Sequence, residues 1–434
     1  MKLAKSLLLA SAAGFAAVSG AQAADLPSRK SAPVEYVRVC SAYGAGFFFI
    51  PGTETCLRVG GRVRAEYAIS ERFNGPAGTQ DQDAYGFRAR GRLNLDARTA
   101  TAYGTLRTFV RFEGTISNGV YGQGINGAGP GFTANRGGAG GQSFNLDKAF
   151  IQFGPITAGR AQSFFDAYAD DLNYGVIRGS DATVNLLAYT FSFGSGFSAT
   201  LSLEDRSERE VAGNFAPGGQ TYPDLVGSLN LTQGWGSFQL SGVITERNSF
   251  AFGVGDKTGY AIQAATKINL PMLAAGDYLW LQAAYAEGAI SYLGYGGAGA
   301  GTTWSAQSRA GRLIVNNSDA NVVTVGGISS IKLTKGYAFT AGLLHYWTPQ
   351  IRQGVYGSYS KLDYANLVST LDPREIRVGT NLIWSPVAGL DIGVEVLYAK
   401  VETRTFVPAA GVPVARNIKS DDSISGRLRI QRDF

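Results

Sequence analysis

Ten arginines dominate the chemistry this sequence could do, and they recur at even spacing: Arg58, Arg62 and Arg64; Arg88, Arg90 and Arg92; Arg107 and Arg111; Arg427 and Arg429. A spacing of two is the period of a strand, so each set projects from one face of an extended segment. Around Arg88 the opposite face reads Tyr85, Phe87, Ala89, Gly91, Leu93, Leu95 and Ala97. One wall is apolar and the other cationic. Glu66, Asp96 and Glu113 lie on the same segments, so ion pairs that stiffen the wall and a residual excess of positive charge are both expected.

Other reactive groups are sparse. His345 is the single histidine, so a Ser-His-Asp arrangement would have to use it. It sits beside Trp347 near a short turn, where a structural role is expected, and the chain does not read as an enzyme. Cys40 and Cys56 are the two cysteines; in an oxidising compartment they are expected to bridge a short loop. The alternative, a catalytic or metal-binding pair, lacks a neighbouring cluster of His, Asp or Glu. No metal or cofactor is expected, since no acidic loop has calcium-binding spacing. The net charge of +6 is spread among acids without basic runs, which argues against nucleic acid as a partner.

The elements that position these residues follow from the whole chain. Residues 1–23 read as a signal peptide: Lys2 and Lys5, an apolar stretch from Leu7 to Ala17, and a cleavage site at Ala21-Gln22-Ala23. Residues 24–56 form an N-terminal segment carrying the cysteines. Residues 57–434 then alternate in segments of about ten residues, the length of a lipid-spanning strand. Charged residues are only 17% of the chain, while Gly reaches 58, yet no stretch is long and apolar enough for a transmembrane helix.

Sixteen strands are expected near 57–69, 84–97, 102–114, 144–153, 156–163, 183–193, 197–206, 222–232, 237–247, 257–270, 278–290, 335–346, 351–362, 374–384, 390–401 and 423–434. The count carries a margin of two, because 291–334 holds strand-like pieces such as Val322 to Val325. The faces of 351–362 do not separate. Tyr67, Trp280, Trp347, Trp384 and Tyr398 are expected in interfacial girdles. Short Gly-rich links alternate with long polar ones, which places all short links at one end of an all-β, antiparallel transmembrane barrel.

In the last segment Ile424, Gly426, Leu428, Ile430 and Phe434 share one face, with Arg427 and Arg429 on the other. Such an ending in a terminal aromatic resembles the signal read by the outer-membrane barrel assembly machinery. A barrel of sixteen strands leaves an aqueous channel. An arginine facing lipid at the midplane costs about 2–4 kcal/mol, so the arginines must line that channel.

Three stretches resemble the alphaproteobacterial porin family: Val37 to Cys40 with Phe48 to Gly61, Ala158 to Asp166, and the terminal Phe434. The resemblance implies a homotrimeric passive porin in the outer membrane, in contact with outer-membrane lipids and lipopolysaccharide and passing ions and small hydrophilic solutes. It also implies an inward-folded constriction loop at 164–182. There Asp166, Asp170 and Asp171 would face the arginine wall across the constriction; the alternative is an ordinary exposed acidic loop. Rival functions are a substrate-specific channel for a sugar or other nutrient, an outer-membrane enzyme, and a secreted adhesin.

Overall fold

In hydrocarbon every backbone N–H and C=O must find a partner within the protein, and alternating strands can do this only by closing on themselves. The computed structural model describes residues 38–70, 84–121, 141–167, 172–211, 215–295, 307–310, 313–364, 372–408 and 417–434. Sixteen antiparallel strands form the barrel. The first eight are β1 (Cys56–Ser70), β2 (Tyr85–Thr101), β3 (Gly104–Ser117), β4 (Gly141–Phe153), β5 (Ile156–Gln162), β6 (Thr183–Gly194), β7 (Phe197–Glu204) and β8 (Asp224–Gln233). The second eight are β9 (Gly236–Arg247), β10 (Lys257–Asn269), β11 (Tyr278–Glu287), β12 (Lys335–Thr348), β13 (Ile351–Asp363), β14 (Arg374–Val387), β15 (Leu390–Pro408) and β16 (Asn417–Asp433). Each strand pairs with its neighbours in the chain, and β16 returns to β1 from Arg62 opposite Asp433 to Ser70 opposite Ser425. Closure leaves no edge strand for another chain to extend.

All sixteen expected strands are present, and alternation explains why. On β14, Ile376, Val378, Leu382 and Trp384 face outward while Glu375, Arg377 and Asn381 are buried inward. The short links are 102–103, 154–155, 195–196, 234–235, 270–277, 349–350 and 388–389, and they share one end. The reading misplaced several ends: β11 stops at Glu287 and not 290, β15 runs on to Pro408, β16 starts at Asn417, and β3 begins at Gly104, because the turn at 102–103 carries neither proline nor a paired glycine signature. Val322 belongs to a hairpin of Ala320–Val325 with Ile328–Leu333, which adds no strand to the barrel.

Two faces are corrected. In β13 the even positions point inward, among them the buried Tyr356 and Leu362. Trp280 also points inward, packing with Leu172, Ile177 and Tyr356, and does not join a girdle. Chain folded into the lumen covers both strands, so large apolar side chains can stand on their inner faces beside polar ones such as Gln282, Ser358 and Ser360.

The described part of the N-terminal segment, residues 38–55, sits at the short-link end. Phe48–Phe49 pairs antiparallel with the start of β1 as a two-residue strand, and Cys40 is bonded to Cys56 around buried Phe47. A disulfide closing a loop of this size contributes about 3 kcal/mol. Cys40→Ser with Cys56→Ser is therefore expected to free residues 38–55 for proteolysis. The barrel closes through β16 and β1 beyond the bridge, so its heat-modifiable migration on a gel should persist. Loss of that migration would assign the disulfide to the barrel itself. Residues 1–23 lie outside the described residues.

Candidate functional site in the barrel lumen

The register brings the arginines of separate strands into one wall. Arg64 lies opposite Arg90 on β2 and Gln431 on β16, Arg62 lies opposite Arg92, and Arg111 on β3 lies opposite Lys148 on β4. Carboxylates are interleaved with them. Glu66, buried at the centre, accepts from Arg429 Nε at 2.8 Å and from Arg88 Nε at 2.5 Å, with Arg427 at 3.8 Å. Glu113 takes Arg92 at 2.7 Å and Arg90 at 3.2 Å. Asp96 takes Arg98 at 2.8 Å and Arg107 at 2.9 Å, and Asp433 takes Arg62 at 2.5 Å. Arg64 donates to Gln431 at 2.9 Å.

Both expected roles coexist, because hydrogen-bonded pairs fix the guanidinium groups while arginines outnumber carboxylates. Arg58 stands apart at the short-link mouth, where its side chain passes Gly46 of the N-terminal segment.

Opposite this wall the chain enters the barrel. Between β5 and β6, residues 163–167 and 172–182 lean on the inner faces of β9, β10 and β12–β16. The carbonyl of Phe165 accepts from Ser241 at 2.8 Å and Gln263 at 3.0 Å, and its ring meets Tyr292 edge-on at 4.6 Å. The carbonyl of Leu172 accepts from Asn381 at 2.6 Å. Tyr174 reaches furthest. Its N–H donates to Glu395, Arg427 donates to its carbonyl, and Arg429 lies 3.7 Å above its ring. Burial pushes the Tyr174 hydroxyl up to about 12, so the ring stays neutral beneath that cation.

Arg178 then grips β14. It donates twice to Glu375, at 2.7 and 2.8 Å, and Glu375 also accepts from Arg377 at 2.6 Å. All three side chains are buried.

Asp166 departs from expectation. Its carboxylate accepts from Arg209 at 2.8 Å, Gln162 at 2.7 Å and the N–H of Ala182 at 2.7 Å, and it is buried. Burial opposes the charge on Arg209, but Asp166, Tyr292 and Glu204 together outweigh it and raise the guanidinium pKa. Asp166 thus ties the base of the loop to the segment after β7 and does not face the arginines of β1–β4. Asp170 and Asp171 lie outside the described residues. The exposed acid of the described loop is Asp181, whose carboxylate accepts from Gln162 at 2.7 Å.

A second segment, 288–295, also folds inward, and the sequence reading missed it. Ile290, Tyr292, Leu293 and Tyr295 are fully buried. The N–H of Ile290 donates to Asp319 at 2.9 Å, Asp319 pairs with Arg247 at 3.3 Å, and Tyr292 donates to Asp224 at 2.8 Å. Gly294 adopts φ +83° and lies against the backbone of Gly179, where any side chain would collide. Arg178 donates to the Gly294 carbonyl at 2.7 Å, so the two inserted segments touch directly. They bury the inner faces of β8–β14, while most inward side chains of β1–β4 stay half-exposed.

The sequence held a signal for part of this anchorage. Glu375 and Arg377 sit two apart on the inward face of a clear strand, yet their partner Arg178 lies 197 residues from Glu375.

Comparison with known proteins agrees with this architecture. Residues 25–427 match the family model described as a porin subfamily. Porin Omp2b of Brucella suis is 35% identical over 318 residues, covering 67% of this chain and 76% of that protein. Porin Omp2a of Brucella melitensis is 36% identical over 307 residues, covering 67% and 77%. Among solved structures, the outer membrane channel DcaP of Acinetobacter baumannii superposes with a TM-score of 0.63 at 18% identity, covering 89% of this chain and 99% of that one. The trimer form of OmpT of Vibrio cholerae gives 0.51 at 10% identity, covering 88% and 100%. A closed barrel of sixteen strands with an arginine-lined interior, matched along most of its length by this family, belongs to the alphaproteobacterial porins of the porin subfamily: it is a diffusion channel of the Gram-negative outer membrane.

Proposed function

We propose that this channel passes ions and small hydrophilic solutes with a preference for anions. The observation that carries the reading is the lumen wall of β1–β4 and β16, where arginines outnumber the carboxylates that pair with them. A narrow water path along a wall of one sign raises the local concentration of counter-ions and lowers that of co-ions. The inserted segments cover the other side, so a permeating solute travels beside the arginines.

The working unit in this reading is a homotrimer embedded among outer-membrane lipids and lipopolysaccharide. Phe434 completes the strand presented to the barrel assembly machinery, and its N–H and carbonyl bond with Gly61 at 3.0 and 2.9 Å. No catalytic role enters. His345 is engaged with Asp277 at 2.6 Å and lies edge-on to Trp347 at 4.7 Å, which supports a turn-fixing function.

Single-channel recording of the refolded protein in a salt gradient tests the proposal. Ohmic steps in groups of three and a reversal potential of the anion-selective sign are expected. A cation-selective sign would overturn the anion preference, and absence of conductance from an inserted, heat-modifiable barrel would overturn the channel.

A further inference from the structure

The wall of β3 and β4 contains a ladder that ion passage alone does not call for. Its rungs are set by register: Arg111 opposite Lys148, then Phe109 opposite Phe150, then Arg107 opposite Gln152. All six project into the lumen. The two phenyl rings stack at 5.2 Å with an interplanar angle of 25° and stay half-exposed. Arg107 lies 5.2 Å from the Phe109 ring and 5.4 Å from the Phe150 ring, and Arg111 lies 5.5 Å from the Phe109 ring.

The two cationic rungs differ in how far they are neutralised. Arg107 donates twice to Asp96, at 3.0 and 2.9 Å, and to Gln152 at 2.9 Å. Arg111 donates to the neutral Asn94 at 2.9 Å, and its carboxylate partner Asp147 lies at 3.4 Å. Lys148 donates to the neutral Gln162 at 3.0 Å. Two cations thus share Asp147, while the other acids near them, Asp181 and Glu113, are engaged by the Gln162 amide and by Arg90 and Arg92. An under-neutralised cationic pair stands beside a flat apolar surface of the size of a benzene ring.

We propose that this ladder is a transit site for aryl carboxylates, with the carboxylate on Arg111 and Lys148 and the ring on the Phe109–Phe150 stack. Charge-assisted hydrogen bonds hold the anion, and the rings discriminate in favour of an aromatic body over an alkyl one. The cationic pair lies on the long-loop side of the rings, so the ligand lies along the pore axis with its carboxylate toward that end. The proposal rests on the channel reading and adds a solute class to it.

The test is chloride current through the intact chain in a planar bilayer, titrated with 3-phenylpropionate, propionate and phenethylammonium. 3-Phenylpropionate should halve the current at a concentration about tenfold below propionate, and phenethylammonium should not block at the same concentration. Phe109→Leu with Phe150→Leu keeps the site apolar but removes the rings, and should bring the aryl acid to the value of the alkyl acid. Arg111→Gln with Lys148→Gln should weaken block by both acids. Equal block by the two acids in the unaltered protein, or equal block by the ammonium compound, would overturn the site while leaving the channel standing. Loss of stepwise conductance altogether would overturn the channel reading instead.

Discussion

Glu375→Gln is expected to release the constriction loop from the far wall. Glu375 is a carboxylate shared by Arg178 of the loop and Arg377 of β14, and all three are buried. Removing its charge leaves two desolvated guanidinium groups facing each other, and breaking a buried ion pair from one side costs about 3–5 kcal/mol. That corresponds to a shift of roughly a hundredfold or more in the equilibrium between docked and free loop. Single-channel conductance should rise and become noisy, and a new protease site should open within 163–182. Heat-modifiable migration should survive, because no hydrogen bond between strands is lost. Conductance and cleavage identical to the parent would show that the other loop contacts suffice without this pair.

Arg64→Glu is expected to lower anion selectivity by several-fold, up to about tenfold at low salt. Arg64 faces Arg90 and Gln431 across the strands and donates to the neutral Gln431 side chain. The substitution moves the wall by two charge units at a point where the solute passes. A unit charge about 5 Å from a permeating ion is worth close to 1 kcal/mol in water, and salt at 0.1 M screens it beyond about 10 Å. The new carboxylate would have Arg90 and Arg62 as neighbours, so the fold should tolerate it. The reversal potential in a salt gradient reads the change, and the effect should shrink as salt rises. A selectivity independent of this position would remove the central wall from the filter.

The strands were legible because two solvents imposed a rule on them. Lipid outside and water inside demand strict alternation, and β2 over Tyr85–Asp96, β14 over Glu375–Leu382 and β16 over Ser423–Gln431 obey it. The rule failed where the inner solvent is protein. Tyr356 and Leu362 of β13 and Trp280 of β11 point inward because inserted chain covers them. Nothing within those strands marks that cover.

The same limit hid the role of Asp166. An acidic residue entering a loop fits either a bare carboxylate facing arginines or a buried anchor. The choice was made by Arg209, on a different loop. The arginine wall was legible because its members recur within single strands. The loop anchors were not, since each pairs residues from distant parts of the chain.

That distance sets an order of events during assembly. Arg178 meets Glu375 across 197 residues, and Tyr174 meets Glu395 and Arg427 across 221 and 253. None of these contacts can form until β14, β15 and β16 stand in place, so the tip of the loop is seated only then, although its base can already bind Arg209 and the inner faces of β9 and β10. Nearest-neighbour strand pairing closes short loops, seating the tip of the constriction loop closes loops of 197 to 253 residues, and pairing β16 with β1 closes the longest, 371 residues between Arg62 and Asp433. Seating of the loop tip therefore belongs with the late steps that close the barrel, so full discrimination among solutes is expected only once the last strands are paired.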